Sequence, residues 1–338
     1  MKHLLAIIPL WVCPSVYAQQ VDSSMFFFKK GLDEKNTKRY LVASQSFEKS
    51  VKYNASNIDA WLENGLANLE MRKTDQAINC FQKALALDPG NKKAIRELTS
   101  LYFNYRQYAK AIEFARKCAD CDNAQRIIGM SMYQQEDYPS AVTALQAALK
   151  QDPADAEATY TLARTYLDME EYKKAVPVYE QAVKLDPTKN AWIYEQGLLY
   201  YNLDDYKNAM NAFNSAAQAG YVQSNDFNEN LGYASLYSGE YEKGEKLLLT
   251  VLNKKPGNKT ILRDMAEILY QQKQYDKSLD YCQKLLEIDT KDGKALYQAG
   301  LCFQKKGDKD RGQQMCDKAI LMDPSLDGLR KKKEISGL

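Results

Sequence analysis

Histidine is almost absent from this sequence: His3 is the one histidine among 338 residues. A chain with no histidine after position 3 cannot run Ser-His or Cys-His nucleophilic catalysis, nor build a His-ligated metal centre. Charge of either sign is not in excess. Lys and Arg number 46 and Asp and Glu 44, a net charge of +2, and the longest basic run is the "RKKKE" at 330–334. Displacing counterions from a nucleic acid takes a basic stripe, so that class of partner is excluded. Long apolar runs are missing too. The longest, Leu4 to Val12, falls well short of the roughly 20 residues that a spanning helix needs.

That short run lies in "MKHLLAIIPLWVCPSVYAQQ". A lysine, an apolar stretch, then Val16 and Ala18 in front of Gln19 fit a secretory signal peptide over 1–18 with cleavage after Ala18. Cys13 follows Val12, where a lipidated cysteine would follow Gly, Ala or Ser. The expectation is an exported chain of the bacterial envelope, periplasmic or outer-membrane-associated, without a membrane span once the leader is removed. Cleavage takes away His3 and one of the seven cysteines.

Tyrosine, by contrast, is plentiful at 24 residues, and one kind of helix stop keeps returning. "ALALDPGN" (84–91), "ALKQDPAD" (148–155), "AVKLDPTK" (182–189), "VLNKKPGN" (251–258) and "AILMDPSL" (319–326) all carry an apolar segment into a proline turn. Pro153 and Pro187 are 34 residues apart, and Pro256 and Pro324 are twice that. A fixed period of this size means stacked supersecondary repeats. Counting back from Pro89, Trp61, Gly65, Ala77, Phe81 and Ala84 take positions 4, 8, 20, 24 and 27. Leu162, Ala163, Tyr166, Ala175, Tyr179 and Ala182 repeat the scheme before Pro187, as do Gly197, Tyr200, Ala209, Phe213 and Ala216, and then Ala299, Gly300, Phe303 and Ala319.

These residues resemble the tetratricopeptide repeat (TPR). Nine repeats in phase start near 24, 58, 92, 122, 156, 190, 225, 259 and 293, so that an array occupies 19–326 and a polar cap 327–338. The third repeat is about four residues short. The resemblance implies an all-α, right-handed α-solenoid of antiparallel helix pairs. Pro139, at position 18, suits the start of a second helix. Pro177, at position 22, falls inside one and costs it a hydrogen bond.

Tyr40, Tyr108, Tyr138, Tyr172, Tyr206, Tyr241 and Tyr275 share position 17, in the turn between the paired helices, and read as structural. The resemblance also implies a concave groove lined by first-helix positions 2, 5, 9, 12 and 13. Here these include Arg96, Arg126, Tyr133, Tyr160, Arg164, Tyr194, Tyr201, Tyr233, Tyr237, Arg263, Tyr270 and Tyr297. Tyr and Arg are the residue types enriched at binding hot spots. Asp59 and Glu70, then Lys93, Arg96 and Arg126, then Glu229 and Glu267 alternate in sign, which suits a protein or peptide partner of mixed charge. One subgroup of the family clamps a C-terminal carboxylate with Lys and Asn. Arg96 with Ser100, Ile127, and Glu157 with Thr161 do not match that set.

The "CADC" at 118–121 is a C-x-x-C. Cys118 falls near the end of a second helix, whereas a redox C-x-x-C uses the N-terminal end, where the dipole lowers the thiol pKa. Cys118 and Cys121 therefore read as structural thiols or a disulfide, and Cys282, Cys302 and Cys316 as packing residues. No cofactor and no metal is expected. The reading is a non-enzymatic protein-interaction scaffold or adaptor that holds a segment in the groove. Its competitors are a permanent structural subunit using the convex face, and a thiol-redox protein using Cys118 and Cys121. The leader gives a first test. The exported protein should have the intact mass of a chain beginning at Gln19, and a mass that retains residues 1–18 would overturn the leader assignment.

Overall fold

A computed structural model describes residues 14–328, with side chains from residue 22. Most of the expected leader and residues 329–338 of the expected cap lie outside them. Among the described residues the chain is all α-helix apart from one 3₁₀ turn. It divides into two compact bodies, one up to Leu185 and one from Asp186. The first contains α1 (Pro14–Asn36), α2 (Tyr40–Tyr53), α3 (Ile58–Glu70), α4 (Thr74–Leu87), α5 (Lys92–Asn104), α6 (Tyr108–Lys117), α7 (Ala124–Gln134), α8 (Tyr138–Gln151), α9 (Ala156–Asp168) and α10 (Tyr172–Leu185). The second contains α11 (Asn190–Asn202), α12 (Tyr206–Gln218), α13 (Asn225–Tyr237), α14 (Tyr241–Lys254), α15 (Lys259–Gln271), α16 (Tyr275–Ile288), α17 (Gly293–Lys306) and α18 (Lys309–Met322). Within each body the helices pair in chain order, five pairs in the first and four in the second.

Three local devices recur in the pairs. The first is the stop. In "DPGN", Asp88 ends α4 in an extended conformation, as a residue before proline should. Its carboxylate accepts from the Gly90 N–H at 3.1 Å and from the Asn91 amide at 3.2 Å. Asn91 then caps α5 by accepting from the Ala94 N–H. Four residues thus end one helix and start the next. Asn57, Asp155, Asn258 and Asp292 cap their helices in the same way, each satisfying an N–H that a helix start leaves open.

The second device is the elbow between paired helices. Position 15 is left-handed in every pair: Lys38, Arg72, Arg106, Glu136, Glu170, Asp204 and Lys273 have φ between 56° and 62°, and Gly239 and Gly307 have φ of 96° and 99°. The bonds around Arg72 show why. Its N–H reaches the Leu69 carbonyl and the Lys73 N–H reaches Asn68, both at 2.8 Å, so carbonyls orphaned at the end of α3 find partners. The position-17 tyrosines do not lie in this turn, as their spacing suggests. Each is the first residue of its second helix, because the left-handed residue reverses the chain within three residues.

The third device is a close contact. A Cβ placed on Gly65 would stand 2.6 Å from the Phe81 ring, and one on Gly197 would stand 2.6 Å from Phe213. Both rings are fully buried. Gly31 on Phe47, Gly129 on Leu145, Gly232 on Leu248 and Gly300 on Cys316 repeat the contact at the same 16-residue spacing.

The short third repeat is short in its second helix: α6 has 10 residues where the other second helices have 13 or 14. Pro177 lies inside α10, which runs through it; the bond lost is the one to the carbonyl four residues back. After α18, Leu326 tucks against Leu296, Tyr297, Cys316 and Ala319. The close contact leads to a stability prediction. Gly197→Leu should destabilise by about 3 kcal/mol, the upper end of ordinary overpacking. Lys246→Ala, exposed on α14, should stay within about 0.5 kcal/mol. Urea midpoints compare the two, and equal midpoints would contradict the contact's importance.

Candidate functional site

In four of the repeats, the end of the first helix and the start of the second bring an aromatic at position 12 onto the position-17 tyrosine. Ring centroids are 5.9 Å apart for Phe103–Tyr108, 6.0 Å for Tyr133–Tyr138, 5.3 Å for Tyr201–Tyr206 and 5.6 Å for Tyr270–Tyr275. The five-residue spacing is visible in the sequence, but it marks a pair only once the elbow is known. It follows that position-17 tyrosines such as Tyr206 are not independent of the groove-position rings.

In the first body, Arg96 and Arg126 are not loose groove cations. Each reaches the start of the following repeat, Arg96 to Asp122 at 3.7 Å and Arg126 to Asp155, the cap of α9, at 3.0 Å. Glu63 of α3 is held between Lys35 of α1 and Lys93 of α5, the latter at 2.8 Å, which ties three successive repeats together. Tyr133 donates to Asp168 at 2.8 Å, and the Arg164 guanidinium lies 5.7 Å from its ring centre. Burial and the Asp168 bond push the Tyr133 hydroxyl's pKa well up. Tyr160 meets the buried Tyr179 edge-on at 6.0 Å.

In the second body, two residues with groove spacing are in the core. Tyr233 is 9% exposed and Tyr297 7%, because neighbouring helices close over positions 9 and 5 at these points. Tyr233 donates to Asp264 at 2.7 Å. Tyr194 is half-buried, stacked on Tyr221 at 4.4 Å, and its hydroxyl accepts from Asn230 at 2.8 Å. Arg263 donates to Asp292, the cap of α17, at 2.7 Å, at the place where Arg126 forms an ion pair with Asp155 in the first body. Tyr270 is half-buried beside Tyr275. Tyr201, Tyr206 and Tyr237 join in one surface. Tyr206 lies 4.7 Å from Tyr237, which stacks on Tyr233 at 6.2 Å. Tyr237 is 46% exposed. The sequence reading missed Asp204, Asp264 and Tyr221 as parts of these clusters, since each arrives from a turn or from another repeat.

Cys118 and Cys121 form a disulfide just beyond α6, and Cys118 is the C-cap of that helix, the end where the dipole disfavours a thiolate. The free cysteines are buried, and burial pushes the thiols of Cys80 to about 11 and Cys282 to about 12. Both stay protonated at neutral pH. Among the described residues no cluster of three or more His, Cys, Asp or Glu could hold a metal ion. No described helix is long and apolar enough to cross a membrane.

Helix pairs with a proline stop, a left-handed elbow and a small residue under a ring define a helical-repeat protein. Matches to the Tetratricopeptide repeat family cover 58–91, 132–192, 193–219, 235–299 and 293–326, together more than half of the chain. The chain belongs to the tetratricopeptide repeat family, whose members generally mediate protein–protein interaction. It is 22% identical over 144 residues to the anaphase-promoting complex subunit 3 of Schizosaccharomyces pombe, a stretch that is 41% of this chain and 22% of that protein. It is 36% identical over 62 residues to the peroxisomal targeting signal receptor of Saccharomyces cerevisiae, 18% of this chain and 10% of the receptor. The matched stretches thus span about a fifth or less of these relatives. Among solved structures, YrrB, a TPR protein with an unusual peptide-binding site, is 23% identical with a TM-score of 0.44, covering 57% of this chain and 100% of YrrB.

The Lys35–Glu63–Lys93 tie makes a pH prediction. Burial alone would raise the Glu63 pKa, but the hydrogen bonds and charges of Lys35 and Lys93 outweigh it and hold the carboxyl below its ordinary 4.5. A folded pKa below the unfolded one contributes stability that is present above about pH 4.5 and is lost as pH falls through the lowered value. Glu63→Gln should therefore cost stability at pH 7 and show a smaller loss on acidification than wild type. Thermal melts from pH 7 to pH 3 measure both, and parallel acid losses would refute the tie.

Proposed function

We propose that this chain is a non-enzymatic scaffold or adaptor of the cell envelope that holds a peptide or protein segment of mixed charge against its first-helix face. Within the second body the face in question is built on α11, α13 and α15. The observation that carries the reading is the Tyr201–Tyr206–Tyr237 surface. Three large amphipathic rings there are partly exposed and lie together on one surface. Such rings give contact area at little entropy cost, and their hydroxyls tolerate water when the surface is empty. In the first body, Tyr133, Tyr160 and Arg164 present a related but internally bonded face, so it is a secondary candidate. The disulfide's position and the protonated thiols speak for binding rather than for thiol-redox chemistry. Export rests on the leader alone.

Photo-crosslinking in the native envelope tests this reading. A benzoylphenylalanine at position 237 should capture a specific partner, whereas the same probe at position 246, exposed on α14, should not. Capture only at 246 would overturn the groove reading in favour of a permanent subunit held by its second-helix face.

A further inference from the structure

The same elbow is built twice with different chemistry. Between the fourth and fifth repeats, the ring pair Tyr133–Tyr138 meets Arg164 and Asp168, at positions 9 and 13 of the following repeat. The guanidinium lies 5.7 Å from the Tyr133 ring centre and Asp168 accepts from its hydroxyl. Between the sixth and seventh repeats, the pair Tyr201–Tyr206 meets Tyr233 and Tyr237, which hold the same two positions. Here the internal cation is replaced by a ring. Carboxylates remain: Asp204 accepts from Tyr206 at 2.6 Å and Asp264 from Tyr233 at 2.7 Å. The charges of Asp264 and Glu267 are both felt at the Tyr237 hydroxyl, after burial the main reason its pKa is raised. Among the described residues no lysine or arginine stacks on Tyr201, Tyr206, Tyr233 or Tyr237. None forms an ion pair with Asp204, Asp264 or Glu267. Arg263, next to Asp264 in the chain, is turned to Asp292 instead.

We propose that the surface of Tyr201, Tyr206 and Tyr237, edged by Asp204, Asp264 and Glu267, docks an arginine side chain of a partner protein in the place that Arg164 fills internally two elbows earlier. A guanidinium is attracted to the ring faces and to the carboxylates at once. The proposal rests on the protein-binding reading above and narrows the partner to a segment that is basic at this point.

The test uses the full chain and fluorescein-labelled Gly-Arg-Gly-Arg-Gly, with Gly-Glu-Gly-Glu-Gly as the matched control, followed by anisotropy at low salt. The arginine peptide should bind more tightly. Tyr237→Ala should weaken it about three- to thirtyfold. Tyr237→Phe, which keeps the ring face, should stay within about twofold, and Glu267→Gln should weaken binding without changing the melting temperature. The double change Tyr233→Arg with Tyr237→Asp copies the earlier elbow and should abolish peptide binding in a protein that still melts cooperatively. Unchanged affinity in both Tyr237→Ala and Glu267→Gln would overturn the proposal. Equal affinity for the two peptides, lost in Tyr237→Ala, would overturn the cation assignment while leaving the protein-binding reading standing.

Discussion

A side chain left out on one helix makes room for a large one on its partner, and the helix pairs are built on that exchange. Position 8 is glycine in six of the nine repeats, and the residue 16 places later lies where the missing Cβ would have been. Phe81 and Phe213 are fully buried as a result. In the fifth repeat Ala163 serves in place of glycine, and Tyr179 is still fully buried. The rest of each pair is arranged around this contact: the elbow sets which way the second helix returns, and the proline stop ends it before it overruns.

The elbow depends on a conformation that most residues avoid. Seven of its nine left-handed positions are Lys, Arg, Glu or Asp rather than glycine, at a cost of order 1–3 kcal/mol each. The cost is tolerated because the capping bonds at the helix end and the packing of both helices over-determine the turn. The same reversal places the position-17 tyrosine on the position-12 ring, so the aromatic pairs follow from the turn rather than from a separate design.

Between repeats, ion pairs add to a continuous apolar packing. Arg126 and Arg263 reach the aspartate that caps the next first helix, and Glu63 holds lysines from both sides. These ties remove several groove-spaced cations from the set available to a ligand. What is left around the Tyr201–Tyr206 elbow of the second body is aromatic and acidic. A face whose sequence alternates in sign therefore becomes, after internal pairing, more negative at one elbow than the tally of residues implies.

The fold class was legible in the sequence because it rests on short-range rules. A 34-residue period, small residues at 8, 20 and 27 and a proline stop are local features, and each states its own physical reason. The position-15 turn was not legible, since a charged residue in the left-handed region looks like any surface residue until the helices around it are in place. The candidate site was legible only in part. Spacing put Tyr233 and Tyr237 on adjacent groove positions, yet tertiary packing buried one and left the other exposed. Likewise, spacing made Arg96, Arg126 and Arg263 look like cations for a ligand, and the structure paired them with Asp122, Asp155 and Asp292. Periodicity determines which way a side chain leaves its own helix. What it meets there belongs to the next repeat, and only the tertiary structure sets that distance.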